Sequence, residues 1–219
     1  TNMKIVATHV GLDVGEDGPT HQCIDYLGLM KNYFHFSVFM PADPNHTDRI
    51  VRHIATQPGN HFVGMGRSKL ATITDENGGV FFGTDYTFTP GKGDWLRRGN
   101  DLTIVTYGAL APTVLEAWKL LKDSGVSAGV LNMASLIPLD VDSLVKAAGI
   151  GPILTVEDHH VNSGLGASAA MAFVDKGMQV KMKRLGVSHY GSSGKPAELY
   201  AEQGLDAQSI AQTASELLR

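Results

Sequence analysis

The chain has 219 residues, of which 43% are apolar and 18% charged, enough for one large or two modest domains with real cores. A net charge of -4 and a pI near 6.1, with Lys and Arg scattered along the chain, argue against a nucleic-acid surface and favour a small ligand. No apolar run approaches the ~18 residues a membrane span needs, and residues from Thr1 onward do not read as a charged-then-apolar signal segment. The single Cys23 leaves no internal disulfide framework and fits a reducing, cytoplasmic setting.

The chain opens on Lys4-Ile5-Val6-Ala7-Thr8-His9, a short apolar run that reads as a buried strand. It leads into a turn punctuated by Gly11, Gly15, Gly18 and Pro19 and carrying Glu16 and Asp17, with His9 before it and His21 after it. Thr20 to Asn32 reads as a helix, with Thr20 as its cap and Cys23, Ile24, Leu27 and Met30 on one apolar face. A strand is expected from Phe34 to Met40, a helix from His46 to Thr56 with Ile50, Val51 and Ile54 inward, and a third strand from His61 to Met65 that ends at Gly66-Arg67.

Alternating strands and helices predict a parallel sheet covered by helices. Three such strands make a poor domain, because parallel sheets are buried on both faces and usually wider. Residues 1–80 therefore read as the second half of a sheet whose first half lies elsewhere. The start at Thr1, directly on a strand, carries the same expectation of a piece upstream.

Around Asn77-Gly78-Gly79, Gly83, Pro90, Gly91 and Gly93 the pattern loosens, and residues 81–98 read as a linker. Residues 99–219 resume the alternation. Strands are expected at Leu102–Tyr107, Ala128–Met133, Ile153–Val156 and Val180–Gly186; helices at Pro112–Ser124, Asp140–Ala148, Gly166–Lys176, Pro196–Gln203 and Asp206–Leu218. The fold class is α/β: two three-layer domains with mostly parallel sheets, the first one incomplete.

Three motifs fail on their chemistry. Asp13, Asp17 and Gly18 partly match a calcium loop, but position three would be Gly15 and the bidentate acid would be Ile24. Gly194-Lys195 hints at a phosphate loop, yet Pro196 follows the lysine and His189 stands where the first glycine belongs. Glu157-Asp158-His159-His160 offers four consecutive metal-ligating groups, but neighbours on an extended chain point opposite ways, so a polar strand end or a domain contact is the better reading. His35, His46, His53, His61 and His189 are isolated and receive no role. What remains is His9, Asp17 and His21 on the glycine turn, with Arg67 at the end of a neighbouring strand. Open α/β sheets bind ligands at such strand ends. An arginine fork suits a phosphate or carboxylate, and an acid beside two histidines suits a hydroxyl-rich partner, so the site fits a phosphorylated polyhydroxylated molecule.

The run Val6-Ala7-Thr8-His9 followed by Gly15-Glu16-Asp17-Gly18-Pro19-Thr20-His21-Gln22, with Met40-Pro41-Ala42-Asp43 and Gly66-Arg67, closely resembles the pyrimidine-binding domain of transketolases. Ile153 to His159, Gly164-Leu165-Gly166 and Ser193-Gly194-Lys195-Pro196-Ala197-Glu198-Leu199 resemble the family's C-terminal domain. The resemblance covers essentially the whole chain and favours transketolase over deoxyxylulose-phosphate synthase. It implies transfer of a two-carbon ketol unit between sugar phosphates on thiamine diphosphate, held with Mg2+ or Ca2+. It also implies that His9 and Arg67 contact substrate phosphate, Asp17 a substrate hydroxyl, and His21 the reacting carbonyl or hydroxyl. The family's activating glutamate and its diphosphate and metal ligands lie in parts these residues do not include. The chain is thus expected to be inactive alone and to work in a homodimer of a longer enzyme or with a partner subunit. A non-catalytic interaction module derived from the family is the alternative from another class.

Overall fold

The computed structural model describes residues 1–219, and none of its helices is long and apolar enough to cross a membrane. The first unit runs β1 (Lys4–Ala7), α1 (Tyr26–Met30), β2 (Phe36–Phe39), α2 (Pro44–Thr56) and β3 (Asn60–Gly64). The second runs β4 (Asp94–Arg97), β5 (Leu102–Thr106), α3 (Ala111–Asp123), β6 (Ala128–Asn132), β7 (Ser135–Ile137), α4 (Val141–Ile150), β8 (Ile153–His160), α5 (Leu165–Asp175), β9 (Met182–Val187), α6 (Pro196–Glu202) and α7 (Ala207–Leu217).

Two sheets form, in the orders β1-β3-β2-β7 and β4-β6-β5-β8-β9. β1, β3 and β2 pair in parallel, with Val6 opposite Val63 and Val38 opposite Phe62, and β6, β5, β8 and β9 are parallel as well. Every residue of β5 and β6 is buried, as continuous apolar strands covered by helices on both faces should be. At the other extreme β1 is an open edge, with Val6 47% exposed.

The helices start where acids can satisfy their free amides. Asp43 accepts from His46 N at the head of α2 (2.7 Å), Asp140 from Ser143 N at α4 (3.0 Å), and Asp206 from Gln208 N and Ser209 N at α7. Asp43 also accepts from Ile73 N through its other oxygen (2.8 Å), so one side chain caps α2 and anchors the chain leaving β3.

Three expectations are corrected. The helix expected over Thr20–Asn32 is confined to Tyr26–Met30. Upstream, the Cys23 carbonyl accepts from Gly11 N (2.7 Å) and the Ile24 carbonyl from His160 N (2.8 Å), so both are committed to tertiary bonds; the Thr20 hydroxyl meets His21 rather than capping a helix. The strand expected from Phe34 begins at Phe36, because Phe34 is 89% exposed and His35 has φ +66°.

Residues 81–98 are not a linker. Phe82 stacks on the buried His46 with centroids 3.9 Å apart, Phe88 meets Phe39 edge-on at 5.1 Å, and Asp94–Arg97 forms the antiparallel edge of the second sheet. The two units also share a core. β7 leaves the second unit to pair antiparallel with β2, and one buried cluster joins Val10, Tyr26, Leu27 and Phe62 to Val105, Tyr107, Leu131 and Leu165.

Candidate functional site

The site forms at the C-terminal ends of β1 and β3, where the parallel ladder runs out and its last amides become available. Met65 N bonds Ala7 O (2.9 Å) and Val10 N bonds Met65 O (3.1 Å), but His9, between Ala7 and Val10, has turned to φ +64°, a left-handed conformation unfavourable for a residue with a side chain. From there the chain winds through a 3₁₀ turn at Leu12–Asp17, reversed at Gly15 (φ +71°) and Gly18 (φ +76°). Leu12 and Val14 are buried and pin the turn from below; Asp17, His21 and His9 are exposed above it.

Arg67 reaches across from the end of β3. Its Nη1 donates to Val14 O (2.8 Å) and to Asp17 Oδ2 (3.2 Å). Both side chains of the ion pair are 43% exposed, so it adds little to stability; its effect is to aim the guanidinium, whose remaining N–H groups have no protein partner. Gly66 is required beside it, since a Cβ there would lie 2.2 Å from the Asp13 carboxylate, which is buried and accepts from Ser68 N (2.6 Å). Each histidine is tethered through Nδ1 to the preceding threonine, His9 to Thr8 (2.8 Å) and His21 to Thr20 (2.9 Å). Their Nε2 atoms have no partner within the chain and can meet a ligand. Of the four residues singled out from the sequence, the structure joins Asp17 to Arg67 directly and places His9 and His21 at the two ends of the loop that carries Asp17.

The loop is built against the second unit. Asp158 Oδ1 accepts from Leu12 N (2.9 Å) and Oδ2 from the Tyr200 hydroxyl (2.8 Å). The buried Gln22 amide spans two bonds, accepting from Gly191 N (2.8 Å) and donating to Ser192 O (3.1 Å), and the Ser193 hydroxyl donates to the Glu16 carbonyl. Glu157 faces the opposite way and caps α5 through Leu165 N and Gly166 N (2.9 Å). His159 lies on Glu157's side, where its Nε2 accepts from Leu27 N (3.0 Å), so the proton resides on Nδ1 and is donated to His160 O (3.0 Å).

Within this run Asp158 and His159 make the contact between units, to Leu12 and to Leu27, while Glu157 caps α5 inside the second unit. Burial pushes the Glu157 carboxyl up to about 8 and the Asp158 carboxyl up to about 6, and draws His159 down to about 4. Sequence reasoning placed this run at a strand end or domain contact, but its bond to the glycine loop, 146 residues away, had no sequence signal.

Two mostly parallel sheets flanked by helices define an α/β protein, with two histidines, an acid and an arginine grouped at the strand ends of the first sheet. Residues 1–72 match the transketolase pyrimidine-binding domain and residues 91–210 the transketolase C-terminal domain. A putative transketolase C-terminal section from Methanocaldococcus jannaschii is 36% identical over 219 residues, covering all of this chain and 67% of that protein. One of the subunits of an apulose-4-phosphate transketolase from Phocaeicola vulgatus is 30% identical over 220 residues, covering 100% of this chain and 68% of its own length. The solved structure of a split-gene transketolase, described as an inactive β4 tetramer, superposes with a TM-score of 0.86 at 33% identity, over 98% of this chain and 66% of that one. The chain belongs to the transketolase family and corresponds to its C-terminal section, and the family depends on thiamine diphosphate.

The residues present do not fit the diphosphate and metal end of that cofactor. No group of three or more His, Cys, Asp or Glu is placed to hold a metal ion.

Proposed function

We propose that this chain supplies the sugar-phosphate grip of a two-part transketolase, which moves a two-carbon ketol unit from a ketose phosphate to an aldose phosphate. When bound, thiamine diphosphate supplies the electron sink for the carbanion. This chain's residues bind and orient the sugar. Arg67 and His9 hold the phosphate, Asp17 accepts from a substrate hydroxyl, and His21 meets the reacting carbonyl or hydroxyl through its free Nε2 and moves a proton there. The observation that supports this reading is the Arg67–Asp17 pair at 3.2 Å, a guanidinium and a carboxylate side by side beyond the ends of β3 and β1.

The diphosphate-binding residues and a Mg2+ or Ca2+ ion belong to another segment or a partner subunit, with the open edge of β1 as the place where the rest of the first sheet continues. The relatives named as one subunit of a transketolase and as a split-gene enzyme support a partner subunit in an oligomer. A lone exposed cysteine accords with a cytoplasmic setting. The test is to assay the assembled enzyme with xylulose phosphate plus ribose phosphate, against pyruvate plus glyceraldehyde phosphate. Turnover of the first pair supports the proposal; turnover of only the second would identify a deoxyxylulose-phosphate synthase.

A further inference from the structure

The loop that carries His9, Asp17 and His21 touches the second unit on both flanks, through groups that reach no ligand themselves. On one flank Asp158, 5% exposed, holds Leu12 N and is held by Tyr200. The fit there is close: a Cβ at Gly11 would fall 2.0 Å from Asp158 Oδ2. On the other flank the Gly191–Pro196 segment clasps Gln22 and the Glu16 carbonyl. Pro196 lies 3.2 Å from where a Cβ on Gly15 would be, and Ser193 3.2 Å from one on Gly18. Asp17 sits between these two glycines, so the pieces of chain that set its position both rest on the C-terminal domain. Arg67, its partner, comes from the first unit and makes no hydrogen bond to that domain.

We propose that Asp158 and the Gly191–Pro196 segment are positioning elements for the sugar-phosphate loop, so that the C-terminal domain sets the spacing of Asp17 against Arg67 and thereby the preference for phosphorylated substrates. This rests on the sugar-phosphate reading above and gives the C-terminal domain a role in that site. Small misplacements of binding groups are costly in such sites, about 100-fold for a displacement near 1 Å.

The test uses the assembled enzyme carrying Asp158→Ala or Asp158→Asn, and measures KM and kcat for a phosphorylated aldose and for a short unphosphorylated aldehyde. Asn keeps an oxygen for Leu12 N–H and can donate to the Tyr200 oxygen, so it should stay within about 3-fold of wild type. Asp158→Ala should raise KM for the phosphorylated aldose about 10-fold or more and lower the phosphorylated-to-unphosphorylated ratio of kcat/KM by about 10- to 100-fold. A purely structural role would reduce the active fraction, lowering kcat for both substrates while leaving KM and the ratio unchanged, and that result overturns the proposal. Should Asp158→Ala fail to assemble, Gln22→Ala carries the test with the same ratio, and an unchanged ratio again overturns it. Arg67→Ala is measured alongside: an unchanged ratio there would overturn the phosphate assignment itself.

Discussion

Asp158 accepts a hydrogen bond from the backbone amide of Leu12 at 2.9 Å, joining the end of β8 to the glycine loop after β1. This bond is why the loop needs glycine just before Leu12. Gly11 has φ +81°, and its missing side chain is the space the Asp158 carboxylate occupies.

Gly11→Ala should therefore destabilise the protein by at least about 2 kcal/mol, combining left-handed strain with displacement of a buried carboxylate. Gly149 in α4 is the contrast, because a Cβ there meets nothing within 4 Å. Gly149→Ala should stabilise by roughly 0.5–1 kcal/mol through the smaller entropy loss of alanine in a helix. Urea denaturation midpoints of the two variants should move in opposite directions; a shared direction would show that local space at these glycines does not govern stability.

On the proposed assignment the Arg67 guanidinium holds the part of the substrate that does not react, so Arg67→Ala should raise KM for phosphorylated sugars about 10-fold or more while kcat changes less. Its ion pair with Asp17 is half exposed, so the melting temperature should scarcely move. Steady-state kinetics over a range of sugar-phosphate concentrations measure this, and an unchanged KM would remove Arg67 from the phosphate site.

Stability should decline above neutral pH because of Glu157. Burial outweighs the two amide bonds from α5 and raises its carboxyl to about 8, against 4.5 unperturbed. The native state then holds a proton the unfolded chain releases, so the stabilisation is full below about 4.5 and is lost as pH rises to about 8. His159, lowered to about 4, and His46, lowered to about 3, have the opposite sign, adding stability as pH rises toward 6.5, where their contribution is complete. The Asp94 and Asp158 carboxyls, raised to about 6, share the sign of Glu157 and lose their contribution by about pH 6, so between about pH 6.5 and 8 the decline is that of Glu157 alone and reaches up to about 2 kcal/mol. Glu157→Gln cannot titrate and should flatten that segment of the curve. A slope retained in this variant would assign the decline to another group.

Phe82→Ala should cost about 3–5 kcal/mol, the range for emptying a buried aromatic site. Phe82 is fully buried and stacks on His46 in a stretch whose glycines read as a linker. Thermal or urea unfolding measures the loss; a change under about 1 kcal/mol would restore the linker reading.

Most of the parallel strands were legible because they hold short, nearly continuous apolar runs, as in Leu102–Thr106 and Ala128–Asn132, and the longer helices carry caps such as Asp140 and Asp206. The antiparallel edges were not. Asp94-Trp95-Leu96-Arg97 and Ser135-Leu136-Ile137 are short and mixed in composition, and become strands only because a partner strand lies beside them. The turn around Gly15 could be read from its glycines, and the reach of Arg67 from its place at a strand end. The Asp158 and Gln22 contacts that brace the loop join residues over 140 apart, where no periodicity or spacing connects them.

The most direct measurement of the central claim is ketol transfer from xylulose phosphate to ribose phosphate by the enzyme assembled with its thiamine-diphosphate-binding part, with this chain wild type or His21→Ala. The expected result is turnover that depends on both parts and falls about 100-fold or more in the variant, as loss of a positioned proton-transfer group would cause. Full turnover by the His21→Ala enzyme, or none by the assembled wild type, would contradict the assignment of this loop as the sugar-phosphate site of a transketolase.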